Sequence, residues 1–138
     1  MILYLDFRND TFSFAAIESK KAKWVRTPGA VSVGGSLAKA LRSFGMPKKR
    51  PSTVAVAAGG DPVLRNVSWS TVRAGIAAAN ALALAWNVPV ATVPVHGDEA
   101  PAQVEDLVRA AARGAKRGTW ASARYSGEPT ITKAKPLL

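Results

Sequence analysis

"STVRAGIAAANALALAWNVPV", Ser70 to Val90, carries a single charge, Arg73, in a chain that is otherwise strongly basic. On a helical wheel Val72, Ile76, Ala79, Ala83 and Trp86 fall on one stripe, wide enough to cover a sheet. The opposite side, where polar residues belong, holds Ala74, Ala77, Ala78, Ala81, Leu82 and Ala85. Arg73, Asn80 and Asn87 make only a thin polar line between the two. A helix apolar on two sides is buried on two sides, and small side chains admit another helix at close range. In a short chain the second cover is either the domain's other helix or another molecule. The segment has Ser70 or Thr71 to cap it and Pro89 to end it, and it delivers the chain into "VPVATVPV", a run with the composition of a buried strand.

The matching strand lies upstream. "TVAVAA" is short, β-branched and bounded by "GGDP", which suits a strand covered on both faces and joined to the next by a crossover helix. Before it, "ILYLD" and "TFSFAAIE" flank the turn "FRND" as an antiparallel hairpin, and "KKAKWVRT" continues the meander. Ser36 can cap a first helix whose apolar positions Leu37, Ala40, Leu41 and Phe44 recur at three and four residues, and Gly45 and Pro47 stop it. Asp98, Glu99 and Pro101 mark the start of a third helix with Val104, Leu107, Val108, Ala111 and Ala115 on one stripe. "TWASARYSGEPTITKA" reads as a closing hairpin. These elements predict an α/β domain around a mixed five-stranded sheet. Right-handed crossovers set the strand order at 3-2-1-4-5, an actin-like, ribonuclease-H-like topology. Residues 1–97 form that domain, with 98–138 a helix and hairpin packed upon it.

Composition narrows the chemistry. The 138 residues suit one domain, and 48% hydrophobic with 20% charged residues is a globular balance. With no cysteine there is neither a disulfide scaffold nor thiolate chemistry, and cytoplasm is the expected compartment. The opening "MILYLDFRND" has no basic segment ahead of its apolar run and reaches Asp6 early, so it reads as a strand and not as a secretory signal. Asn80, Asn87 and Pro89 interrupt the one weakly charged run, which argues against a membrane span. Nineteen Lys and Arg against nine Asp and Glu give a formal charge of +10, a field that draws polyanions or an acidic protein face. A solvated basic surface with no ligand explains the same number. Lys48, Lys49 and Arg50 sit in a linker, and Arg113, Lys116 and Arg117 at a helix C-terminus, where the macrodipole favours cations whatever else they do.

Catalytic constellations are sparse. The only histidine, His96, has Asp98 and Glu99 nearby but no second histidine at metal-ligand spacing, and no serine lies on a nucleophile turn. Asp6 occupies the position of a metal carboxylate on the first strand, without colleagues on other strands. An actin-like ATPase needs glycine in the turn after that strand so that backbone amides can reach phosphate; "DFRNDTF" has none, and Arg8 and Asn9 fill the space. "AAGGDP" is the one glycine pair after a strand. No catalytic residue, metal ligand or cofactor is expected.

Two segments together resemble a known family. "MILYLDFRNDTFSFAAIE" is similar to the opening of the TsaB (YeaZ) family. "VAVAAGG" followed by "STVRAGIAAANALALAWNVPVATVPV" is similar to its glycine loop, Ala-rich helix and following strand. Ser70, Thr71, Arg73, Gly75, Ala79, Leu82, Ala83, Leu84 and Pro89 fall in step with that hallmark. The likeness covers the first two thirds of the chain. It implies an actin-like fold and a noncatalytic subunit that pairs, through its first two helices, with the homologous catalytic subunit TsaD. That assembly carries out threonylcarbamoylation of the adenosine beside the tRNA anticodon, and a TsaE-type ATPase joins it. Mapped here, the pairing face holds Ala38 and Arg42 on the first helix and Arg73, Ala74, Ala77, Ala78, Ala81, Leu82 and Ala85 on the second. Alone, the same face is expected to form a homodimer. Three departures stand out: "GGDPVLRNVSWST" replaces the compact loop, "FRND" lacks the family's Ser and Thr, and 98–138 resembles a reduced second lobe. The competing expectation is a basic RNA-binding module in which Lys48, Lys49, Arg50, Arg113, Lys116, Arg117, Lys133 and Lys135 meet phosphate and Trp69 or Trp120 stacks a base.

Overall fold

The computed structural model describes residues 1–28, 32–57, 59–60, 69–122 and 124–125. Strands β1 (Ile2–Asp6), β2 (Thr11–Ile17) and β3 (Ala22–Pro28) form the meander. Helix α1 (Val33–Ser43) leads to β4 (Thr53–Ala57), and a two-residue bridge, β5 (Gly59–Gly60), precedes α2 (Trp69–Trp86). Strand β6 (Val90–Val93), helix α3 (Pro101–Arg113) and a second short bridge, β7 (Arg124–Tyr125), complete the order. The main sheet runs β3-β2-β1-β4-β6, antiparallel across β3, β2 and β1 and parallel from β1 through β4 to β6. This is the expected order, the fifth long strand being β6.

Side-chain alternation divides the core in two. Leu3, Leu5 and Phe7 of the first strand and its turn, Phe12 and Phe14 of β2, and Val54 and Val56 of β4 face α1 and α2. Tyr4, Ala15, Ile17, Ala55, Ala57, Ala91 and Val93 face the other way, under α3. The helices meet these faces as their periodicity requires. Leu37 and Ala40 of α1, Phe44 at its C-cap, and Val72, Ile76, Ala79 and Ala83 of α2 join the first cluster, with Leu41 and Trp86 packed at its border. Val108 anchors α3 in the second, flanked by Val104, Leu107, Ala111 and Ala115.

Helix ends differ in detail from the sequence reading. The N-cap of α1 is Ser32, whose hydroxyl accepts from the Gly35 amide at 3.1 Å, and Ser36 lies buried within the helix. The pair Gly34–Gly35, which signals a loop, is instead the first turn. Ser70 and Thr71 belong to the first turn of α2, and the Thr71 hydroxyl donates to the Phe7 carbonyl at 3.2 Å. Both helices end in the same way. A left-handed residue, Gly45 (φ 80°) after α1 and Asn87 (φ 53°) after α2, lets its own amide and the next one turn back onto free carbonyls. The bonds run from Gly45 to Arg42 and Met46 to Leu41, and from Asn87 to Leu84 and Val88 to Ala83. Asn87, read as part of a polar line, is thus the residue that terminates the helix, ahead of Pro89. The closing hairpin falls mostly outside the described residues; within them, β7 pairs in parallel with β5. Among the described residues no helix is long and apolar enough to cross a membrane.

Gly75 sets how closely α2 approaches the sheet. A Cβ there would lie 2.2 Å from Cδ2 of Phe7, whose buried ring is itself wedged edge-on between Phe12 and Phe14. In a free helix Gly→Ala gains about 1 kcal/mol. Here the ring has nowhere to retreat, so Gly75→Ala is expected to destabilise the fold by about 1–3 kcal/mol net, read as a lower urea midpoint at unchanged slope.

Candidate functional site

The turn after β1 is where phosphate or metal chemistry would sit in this topology, and a buried ion pair occupies it beside a cavity of about 180 Å³ that Asp6, Arg8, Asn9, Arg26 and Glu99 help to line. Arg8 is 2% exposed and folds back onto Asp6. Its amide and Nε donate to Asp6 Oδ1 at 3.0 and 2.9 Å, its Nη2 donates to Oδ2 at 2.9 Å, and its Nη1 reaches the Val95 carbonyl at 2.7 Å. The Tyr4 hydroxyl adds a fourth donor to the carboxylate at 3.3 Å. Burial alone would lower the Arg8 pKa, but its hydrogen bonds to Asp6 and the carboxylate charge outweigh that and raise it. Burial and the nearby Asp6 charge push the Tyr4 phenol well above its ordinary value, so it remains a neutral donor. Asp6 therefore spends both oxygens holding the turn to the β6 side of the sheet. Among the described residues no group of three or more histidines and carboxylates converges to hold a metal ion.

His96 is exposed, and its backbone carries the local structure. Its amide and that of Gly97 both donate to the Glu99 carboxylate, the Gly97 bond at 2.8 Å. Partial burial raises the Glu99 pKa, yet these amide bonds and its own outweigh it, and the group titrates below its ordinary value. The Ala100 amide donates to Gln103 Oε1 at 2.8 Å, closing the start of α3.

The face expected to meet a partner lies largely open. Arg42, Arg73, Ala74, Ala77, Ala81 and Ala85 are exposed, and Ala38, Ala78 and Leu82 are half-buried, the last two packed against the core's border. The structure adds a residue that the sequence pattern left off this face: Leu84 is 69% exposed. Its signal was present, since Leu84 is one and two turns from Ala81 and Ala77 on the same surface. Asn80 does something else. Its side-chain amide donates to the Ala121 carbonyl at 3.0 Å and accepts from the Ala121 amide at 2.9 Å, pinning the chain that follows α3 onto α2. Among the described residues the polypeptide thus covers one flank of α2 and leaves the alanine side exposed.

The basic residues form separate groups. Lys48, Lys49 and Arg50 are exposed in the turn after α1. Lys49 and Arg50 line a groove of about 480 Å³ with Lys21 and Lys23 from the other end of the meander. Arg113, Lys116 and Arg117 are exposed at the end of α3 on the opposite layer. Lys133 and Lys135 and the Trp69 side chain lie outside the described residues.

The chain matches no family model and no curated protein. Its fold does have solved relatives. YeaZ from Pseudomonas aeruginosa superposes with a TM-score of 0.52 at 21% identity, over 67% of this chain and 42% of that one. An uncharacterised protein from the same organism with similarity to peptidase YeaZ gives a TM-score of 0.53 at 20% identity, again over 67% and 42%. The chain therefore spans about two fifths of the length of these neighbours.

Two substitutions probe the site. Arg8→Ala strands a buried carboxylate and is expected to cost about 3–5 kcal/mol, while the double variant Asp6→Ala/Arg8→Ala recovers part of that loss in denaturant titration. Glu99 has a lowered folded pKa, so its contribution is present above the unfolded value near 4.5 and lost as pH falls through the folded value. Glu99→Gln should accordingly flatten the acid limb of a stability–pH curve below that value and leave its neutral limb parallel to the parent's. The likeness to P. aeruginosa YeaZ establishes the architecture around these residues: a YeaZ-like, actin-type α/β fold.

Proposed function

We propose that this chain is a noncatalytic partner subunit of the TsaB type. It pairs through α1 and α2 with a TsaD-type enzyme in threonylcarbamoyladenosine modification of tRNA, with a TsaE-type ATPase as a further member of the assembly and the tRNA within contact range. One observation carries the reading: Ala74, Ala77, Ala81, Leu84 and Ala85 stand exposed in a row on a helix whose other side is core. A surface without acidic groups and nearly without cations, made of small side chains and one leucine, wins little from water and accommodates a second helix at short range. Arg42 and Arg73 at its margin supply the polar rim typical of an interface. The YeaZ-like fold and the resemblance of Ser70 to Pro89 to the TsaB helix support the choice of partner. Asp6, tied to Arg8, supports the noncatalytic role. Without a TsaD-type protein, the same face pairs two copies of this chain.

Mixing the purified chain with a TsaD-type subunit and weighing the product by light scattering tests the reading. A heterodimer is expected with the parent chain. Ala81→Glu, which would bury an unpaired carboxylate between helices, should weaken pairing on the order of 100-fold and leave the monomer's stability within about 0.5 kcal/mol. Undiminished pairing by Ala81→Glu, or no complex with the parent chain, contradicts it.

A further inference from the structure

A second exposed apolar side chain lies outside the row of residues assigned to the pairing face. Trp120 is 62% exposed, and with Leu84 it is one of two large hydrophobic side chains so placed among the described residues. It borders a cleft of about 400 Å³ between the end of α3 and β6, which closes the described sheet on that side. Small side chains make up much of its lining, Ala91 from β6 and Ala110, Ala111 and Gly114 from the end of α3, beside Val90 and Thr92. Lys116 lines the same cleft, and among the described residues no carboxylate does. Arg113 and Arg117, also exposed, flank it along the chain. The acids of α3 stand apart at its other half, Asp106 being held by Arg109 at 3.2 Å. Three cations exceed what is needed to offset the partial negative charge of one helix C-terminus.

We propose that this cleft binds single-stranded nucleic acid, a base stacking on Trp120 while the adjoining phosphates meet Lys116 and its flanking arginines. Each part of the site answers one part of the ligand. An exposed indole beside a cleft lined by small side chains accepts any base, since every base has a flat π-face, and the cations take the charge of the backbone. An acidic peptide would satisfy the cations and leave the indole without a planar partner. A duplex would keep its bases stacked inside and reach only the cations. The position is also fixed: the Asn80 clamp on Ala121 holds the residue next to Trp120, and the Thr119 hydroxyl donates to the Lys116 carbonyl at 2.7 Å. The indole thus stands on an anchored backbone. This inference is independent of pairing through α2 and does not rest on it.

The test is fluorescence anisotropy of the full chain with labelled RNA of roughly 12 nucleotides, single-stranded or annealed to its complement. Single strands should bind more tightly than the duplex. Trp120→Ala should weaken single-strand binding about tenfold or more, and Trp120→Phe should stay within about threefold of the parent. Lys116→Gln should reduce the slope of log affinity against log salt by about 0.7, the value for one phosphate contact on a single strand. Since Trp120 is mostly in solvent, Trp120→Ala should keep the parent's circular dichroism, and Trp120→Phe provides the folded comparison if it does not. Equal affinity of Trp120→Ala, Trp120→Phe and parent, equal binding of duplex, or displacement of the RNA by polyglutamate at matched charge overturns the proposal. The last result would mark the cleft as a site for acidic protein.

Discussion

The close approach of α2 to Phe7, permitted by Gly75, is the contact on which the arrangement of the domain depends. Any larger residue would overlap the ring by more than van der Waals packing can absorb. Because α2 is seated there, the Thr71 hydroxyl reaches the Phe7 carbonyl, and Val72, Ile76, Ala79 and Ala83 drop into the space between β1, β4 and α1. Seating also fixes rotation. With Gly75 turned to the sheet, Ala74, Ala77 and Ala81 can only point away from it.

Asn80 and Asn87 of the α2 region and the Asp6–Arg8 pair at the β1 turn are then accounted for by structure. Asn80 clasps Ala121 and Asn87 supplies the left-handed terminus, so neither makes the outer face hydrophilic. On the sheet, Arg8 and Asp6 neutralise each other in the turn after β1. A buried pair of this kind contributes little net stability against an apolar replacement, yet it is costly to break. It locks the turn to Val95 and therefore to the parallel half of the sheet. Among the described residues, what remains without an internal task is the alanine side of α2 and, at the cleft between α3 and β6, the indole of Trp120.

Much of this was legible in the sequence, for definite reasons. Period-two alternation in "TFSFAAI" and three-to-four spacing in α1, α2 and α3 each state which side of an element is buried, and one sheet with two covers is the arrangement that satisfies them all. The parallel pair followed from two apolar runs separated by a helix. What could not be read depended on partners remote in the chain. The Asn80–Ala121 clasp spans 41 residues, and Arg8 to Val95 spans 87. The start of α1 was misplaced because Gly34–Gly35 favours a loop locally, whereas the Ser32 cap and the burial of Leu37 and Ala40 favour a helix. Of the site, the alanine row was visible from the wheel. Leu84 was assigned to neither face, and the meeting of Lys116 with Trp120 in one cleft required the fold.

The absence of cysteine in the native chain allows the central claim to be tested at one atom. In an Ala81→Cys variant, thiol labelling by a maleimide should run at the rate of an exposed cysteine in dilute monomer and slow at least tenfold when a saturating TsaD-type subunit is added, as burial under a partner removes the thiol from solvent. Labelling that is already slow in the dilute monomer, or that remains fast in the saturated mixture, would contradict the account: in the first case this chain seals its own alanine face, and in the second nothing does.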